Sequence, residues 1–256
     1  MPYAPVNGIE VFYEIEGAGL PVVLCHGVGG NHLSWWQQVP VLAQRYTCVV
    51  LDQRGFLNTK LPEEGPYAEA FADDVVGLLD HLGLREPAFL VGQSMGGRTI
   101  LNFARRYPKR TRAIVMADTL SNLRAPDLDT ARREASEAVG AHRLRAALSG
   151  ETWRDRPDLG FLYKLIKGQN GPRPKKFYWQ DNVPGTTITD LVKFDKPVMF
   201  IVGAEDRIAP PFAVRMAYNM FPAARWLEVP GAGHSVYFEK PDVFNAALLD
   251  FFAEHE

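Results

Sequence analysis

The sequence predicts an α/β protein, a mostly parallel sheet with helices on both faces and a small helical insertion late in the chain. Three observations predict it. Short apolar runs of strand length alternate with segments whose apolar residues repeat at helical spacing, as strand–helix–strand units do. The opening segment 6–15 is broken by Asn7-Gly8, a dipeptide suited to the positive φ angles of a tight turn, so an antiparallel hairpin at one sheet edge is expected. Between Asp118 and Lys196 the rhythm stops and gives way to arginine-rich helical segments and loops carrying glycine and proline. Residues 119–195 therefore read as an insertion between core segments 1–118 and 196–256.

The elements follow in order. Residues 22–25 form a buried strand that breaks into the glycine-rich loop His26-Gly27-Val28-Gly29-Gly30, and 47–52 form another strand. Segment 69–82 places Phe71, Val75, Leu78, Leu79 and Leu82 on one helical face. Residues 88–91 are a strand, 97–107 a helix, and Gly92-Gln93-Ser94-Met95-Gly96 joins them. Strands are expected at 112–118, 197–203 and 225–229. A closing helix from about residue 241 carries an apolar stripe of Val243, Phe244, Ala247, Leu248, Phe251 and Phe252.

The 92–96 turn points to chemistry. A serine on a sharp strand-to-helix turn needs small neighbours, which Gly92, Gly96 and Gly97 supply, and its hydroxyl then projects from the fold. The helix that begins there aims its N-terminal partial positive charge at the same place. A serine hydroxyl is a weak nucleophile that needs a histidine to take its proton and a carboxylate to orient that histidine. Past the strand at 197–203 stands Asp206, with Glu205 beside it. Past the strand at 225–229 stands His234. Asp206 could instead cap the segment that starts at Pro210. In the glycine-rich loop the N–H of Val28, with that of Met95, would form an oxyanion hole.

Strand-loop, Ser94 turn, acid and histidine, in this order over residues 8–252, resemble the α/β-hydrolases of the compact, cap-bearing esterase and lactonase kind. The resemblance implies an eight-stranded, mostly parallel sheet with 119–195 as the cap. It favours Asp206, which fits the family's Gly-x-x-Asp pattern counted from Gly203. Asp118 is the rival, since some members place their acid after the strand that follows the serine turn. His26 is expected to be structural. Asp52-Gln53-Arg54-Gly55 resembles a further signature whose Asp52 and Arg54 brace neighbouring loops; Phe56-Leu57-Asn58-Thr59-Lys60 then replaces the usual glycine and serine and is expected to reshape the pocket rim. The implied sheet order makes strands 22–25 and 47–52 parallel neighbours. Cys25 and Cys48 would then be offset along them, so both are read as buried thiols without a disulfide.

Composition bounds the function. The 256 residues are 46% hydrophobic and 23% charged, enough for one α/β domain with a substantial core. A formal net charge of −2 gives no grip on nucleic acid or anionic lipid. No apolar run is long enough to span a bilayer, and the first five residues lack the features of a signal peptide, so a cytoplasmic protein is expected. No His/Cys cluster suggests a metal, and no cofactor is implied. His32, His81, His142 and His255 are read as surface residues. Arg132-Arg133-Glu134 and Arg143-Leu144-Arg145 are read as solvated helix faces.

Among the aromatic residues of the insertion, Trp153, Phe161, Tyr163, Phe177, Tyr178 and Trp179 can pack over the serine or form the insertion's own core. Trp153, Phe161, Tyr178 and Trp179, with Ile208, are the candidate substrate contacts. The expected reaction is two-step acyl transfer from a small carboxylic ester or lactone to water through Ser94, Asp206 and His234. Carbon–carbon hydrolysis of a ring-cleavage product, cofactor-free haloperoxidase or perhydrolase activity, and a ligand receptor on the same scaffold are the alternatives.

Overall fold

In the computed structural model, which describes residues 2–174, 177 and 185–256, eight strands form one sheet. They are β1 (Tyr3–Val6), β2 (Ile9–Glu16), β3 (Pro21–Cys25), β4 (Thr47–Leu51), β5 (Ala88–Gln93), β6 (Thr111–Ala117), β7 (Val198–Gly203) and β8 (Arg225–Val229). Their order is β1-β2-β4-β3-β5-β6-β7-β8, and β2 alone runs against the rest. The helices are α1 (Val39–Leu42), α2 (Phe71–His81), α3 (Met95–Arg106), α4 (Pro126–Val139), α5 (Arg143–Ala146), α6 (Gly150–Asp155), α7 (Pro157–Gly168), α8 (Ile188–Leu191), α9 (Pro211–Tyr218), α10 (Val236–Glu239) and α11 (Pro241–Ala253).

The hairpin forms where expected and lies at the sheet edge. Asn7 and Gly8 take φ angles of 49° and 77°, the pair of left-handed residues that a two-residue turn between twisted strands requires. Alternate residues of the inner strands enter two separate cores. Leu90 of β5 and Phe200 of β7 pack on one side with Leu78, Ile100 and Val214 from α2, α3 and α9. Phe89, Val91 and Ile201 pack on the other with Phe244, Leu248 and Phe252 of α11. Burial on both faces is why these strands read as unbroken apolar runs. Between the adjacent strands β6 and β7 the chain detours through α4 to α8, and α7 adds Leu159, Tyr163 and Ile166 to the second core.

From β3 the chain moves to β4 on one side and returns to β5 on the other, so connections diverge between the C-terminal ends of β3 and β5, where ligands bind in open α/β sheets. Cys25 and Gly92 are paired there. The loops after β3, β5, β6, β7 and β8 all leave from this edge.

Arg54 is fully buried, bonded to both oxygens of Asp74 at 2.6 Å and to the carbonyl of Pro66 at 2.6 Å. Phe56, at the unusual position, is buried against the rings of His26 and Phe177 at 4.7 and 5.9 Å. With Tyr67 and Phe71 it makes a third, small core that Met95 packs against. An apolar plug thus stands beside the serine turn. Cys48 pairs with Val22, three residues before Cys25; both thiols are free, and burial pushes each to about 12.

Candidate active site

Ser94 occupies the apex between β5 and α3 with φ 51° and ψ −112°, a backbone conformation that costs a non-glycine residue about 1–3 kcal/mol. Hydrogen bonds hold it there. Its N–H donates to the Ala117 carbonyl at 2.9 Å, and its carbonyl accepts from Gly97 N–H at 3.0 Å and Thr119 Oγ1 at 2.6 Å. The close packing demands glycine: a Cβ on Gly96 would stand 1.9 Å from the Cys25 carbonyl oxygen, and one on Gly92 2.4 Å from that of Gly96. Met95 begins α3, so its N–H lies among the first four of the helix, which have no intrahelical acceptor.

The structure brings His234 and Asp206 to this serine. His234 Nε2 lies 2.9 Å from Ser94 Oγ, and Nδ1 lies 2.8 Å from Asp206 Oδ2. A carboxylate can only accept, so Nδ1 carries the proton and Nε2 turns its lone pair to the serine hydroxyl. The other Asp206 oxygen accepts from Ile208 and Ala209 N–H, both at 2.8 Å. The loop-capping and histidine-facing readings of this acid therefore both hold, one on each oxygen. Burial pulls the His234 pKa down, but the charge and hydrogen bond of Asp206, with Asp118 behind, outweigh it and leave it raised above 6.5.

Asp118 has another task. It is wholly buried, with a φ of 47°, and accepts from Gly203 N–H and Val236 N–H at 3.0 Å each, joining the end of β7 to the start of α10. Burial and the nearby Asp206 charge push its carboxyl well above the usual range. Glu205 is exposed.

The glycine-rich loop lies against the serine turn. A Cβ on Gly27 would stand 3.0 Å from the Cβ of Ser94 and 2.1 Å from Gln93 Oε1, and Gly30 N–H closes the loop on the Gly27 carbonyl at 3.0 Å. Val28, the residue after Gly27, is partly exposed. His26 is structural, as expected: Nδ1 donates to the Gly27 carbonyl at 2.8 Å and Nε2 accepts from Gln53 N–H at 3.1 Å. Accepting from Gln53 needs the neutral ring, and burial lowers its pKa to about 4 against the opposing Gly27 bond.

The candidate substrate contacts fare differently. Trp153 Nε1 donates to the Arg145 carbonyl at 2.9 Å, with Arg145 and Lys164 over its ring at 4.8 and 5.2 Å, all contacts within residues 119–195. Phe161 is 62% exposed. Ile208 is half-buried beside Asp206. Tyr178 and Trp179 lie outside the described residues. Among the described aromatics of residues 119–195, Tyr163 reaches the loop, since a Cβ on Gly29 would meet its hydroxyl at 2.8 Å.

His32 corrects the surface reading. It is buried because Asn31 caps a short 3-10 turn that directs the ring inward, where Nδ1 meets Asp52 Oδ1 at 2.8 Å and the ring packs on Phe12. Arg132 also departs from a solvated face, folding back onto Asp129 and the Leu123 carbonyl, whereas Arg133, Arg143 and Arg145 are exposed. Sequence reasoning did not single out the contacts of Gln93 or Glu239. Gln93 Nε2 donates to the His234 carbonyl at 2.7 Å, and its position next to the serine was the available signal. Glu239 receives Gly233 N–H at 2.8 Å, with no local pattern to mark it.

A groove of about 640 Å³ at the far end of α3, lined by Asn102, Arg105, Asp190, Lys193 and Phe194 among others, includes none of these residues. Among the described residues no group of three or more His, Cys, Asp or Glu is placed to hold a metal ion, and no helix is long and apolar enough to cross a membrane.

Known proteins share this arrangement of elements. A family model described as the alpha/beta hydrolase fold matches residues 21–190, a span that includes Ser94 and ends before Asp206 and His234. A Mycobacterium tuberculosis protein that carries the provisional name non-heme bromoperoxidase is 30% identical over 268 residues, covering 96% of this chain and 98% of its own. A thermophilic esterase from Thermogutta terrifontis superposes with a TM-score of 0.83 at 26% identity, over 100% of this chain and 99% of that one. For the enol-lactonase of Burkholderia xenovorans LB400 the TM-score is 0.81 at 25% identity, over 98% and 100%. With the family model covering most of the chain and the sheet in the matching architecture, this chain belongs to the α/β-hydrolase fold family.

Proposed function

We propose that the chain is a serine hydrolase that cleaves a small carboxylic ester or lactone through an acyl-enzyme on Ser94, with residues 119–195 serving as its cap. The observation that carries this reading is the continuous line Ser94 Oγ, His234, Asp206, with contacts of 2.9 and 2.8 Å and a tautomer that leaves Nε2 free to take the serine proton. His234 removes that proton as Ser94 attacks the carbonyl carbon. The N–H groups of Val28 and Met95 receive the oxyanion. The imidazolium, stabilised by Asp206, then protonates the leaving alkoxide; a water deprotonated by the same histidine attacks the acyl-enzyme and restores Ser94. The esterase and the enol-lactonase among the structural neighbours support the substrate class.

The test is hydrolysis of p-nitrophenyl esters from acetate to octanoate by the unmodified protein and by Ser94→Ala. Turnover that needs Ser94 and favours short chains is the expected result; turnover indifferent to Ser94 in a folded protein overturns it. The similarity to a protein named as a bromoperoxidase favours a second reading, in which peroxide replaces water on the same acyl-enzyme and releases a peracid. A peracid assay with acetate and hydrogen peroxide separates the two. If neither ester nor peroxide supports turnover, a vinylogous diketone tests carbon–carbon cleavage, and a stable adduct without turnover indicates a receptor.

A further inference from the structure

We infer that Glu239 is a positioning residue for His234, and that through it the docking of the helical insertion sets where the histidine stands. This rests on the reading of His234 as the base for Ser94. Glu239 ends α10, is 8% exposed, and divides its two oxygens between different parts of the chain. Oε1 accepts from the N–H of Gly233, the residue before His234, at 2.8 Å. Oε2 accepts from Ser149 N–H and Thr152 Oγ1, each at 2.7 Å, at the start of α6 in the insertion. Ser149 caps α6, its Oγ accepting from Thr152 N–H at 3.0 Å, so the carboxylate grips an already ordered turn.

The two segments lie in direct backbone contact. A Cβ on Gly233 would stand 2.6 Å from Ser149 N and 2.7 Å from Leu148 C, so only glycine lets the insertion rest on the histidine loop. His234 is fixed at its ring by Asp206 and at its carbonyl by Gln93; Glu239 fixes the peptide on its N-terminal side. Serving two segments at once takes two acceptor oxygens, which a carboxylate has and a carboxamide lacks. All three donors are neutral; burial raises the Glu239 pKa, and its hydrogen bonds oppose that rise. A buried carboxylate is retained only where its bonds are all made.

The experiment is proton NMR of the His234 Nδ1–H resonance, assigned by its loss in His234→Gln, together with ester kinetics on Glu239→Gln, Thr152→Val, Thr152→Ser and Lys240→Gln. In folded Glu239→Gln the resonance is expected to shift or broaden, and kcat to fall on the order of ten- to a hundredfold with KM unchanged, the effect of a misplaced catalytic group. Thr152→Val gives a smaller loss that Thr152→Ser restores. Lys240→Gln breaks an exposed insertion contact, Lys240 to Glu151 at 3.2 Å, and leaves both readouts as they were. An unchanged resonance in folded Glu239→Gln overturns the inference. Should that variant not fold, an unchanged resonance in Thr152→Val does so instead. Turnover retained by Ser94→Ala defeats the hydrolase reading separately, because the resonance reports the histidine's place without any substrate.

Discussion

The side-chain amide of Gln93 donates to the carbonyl oxygen of His234 across 2.7 Å, so the residue before the serine is bonded to the residue that faces it. Its Oε1 lies where a Cβ on Gly27 would be 2.1 Å away, and one side chain thus touches the loops after β3 and β8 from the end of β5. Gln93→Leu keeps the bulk and removes the donor. Ester kinetics should show kcat lower by about tenfold at nearly constant KM, in line with about 1–3 kcal/mol for a buried acceptor left without its partner.

Asp206 and Asp118 should separate cleanly. Asp206→Asn keeps an acceptor for Ile208 and Ala209 but can turn an N–H₂ toward His234 and impose the wrong tautomer. Its kcat should fall on the order of 10³- to 10⁴-fold with little change in melting temperature. Asp118→Asn leaves one of two backbone donors poorly served, so about 1–3 kcal/mol of stability should be lost with a far smaller effect on rate. Denaturant melts and kinetics on both variants check this; the reverse ranking would make Asp118 the acid.

The rate should depend on pH through His234. As a base it must be neutral, and its pKa is raised above 6.5 because Asp206 and Asp118 outweigh burial. A plot of kcat/KM for a p-nitrophenyl ester should therefore climb with pH to a plateau, with its midpoint above 6.5.

Stability should depend on pH through His26. Burial holds its folded pKa at about 4 against an ordinary 6.5, so between these values the unfolded chain binds a proton that the folded chain does not. Stability contributed by the neutral ring is present above about 6.5 and is lost as pH falls toward 4, on the order of 3 kcal/mol in all. Thermal melts across this window, compared with His26→Gln, isolate the contribution.

Arg54→Lys should behave as a severe change. The guanidinium meets both oxygens of buried Asp74 and a backbone carbonyl, a fork that an ammonium cannot reproduce. A loss approaching about 3–5 kcal/mol in urea unfolding is expected, the cost of breaking a buried pair.

Ser94 and Asp206 were legible because each follows a strand buried on both faces, and His234 because it follows the next strand segment in order; each proposed chemical role admits few residue types. What the sequence hid depends on contacts between distant positions. His32 is buried through Asp52, twenty residues away, by a turn that Asn31 caps. An aromatic in the insertion can face a pocket or the insertion's own side chains, and the contacts of Arg145 and Lys164 with the Trp153 ring are not announced by spacing. Glu239 gains its meaning from Gly233, Ser149 and Thr152 together, which no periodicity announces. Phe56 departs from the family signature, but its partner Phe177 stands 121 positions further along the chain.

The double engagement of Asp206 bears on how such a site can evolve. Because one oxygen serves His234 and the other ties down Ile208 and Ala209, a lineage that shifted the acid to the end of β6 would also have to re-anchor the β7 loop. The carboxyl already present there, Asp118, is committed to Gly203 and Val236 and would have to release one of them. Moving the proposed acid would thus require concerted change at several positions, since Asp206 and Asp118 each hold two sets of partners.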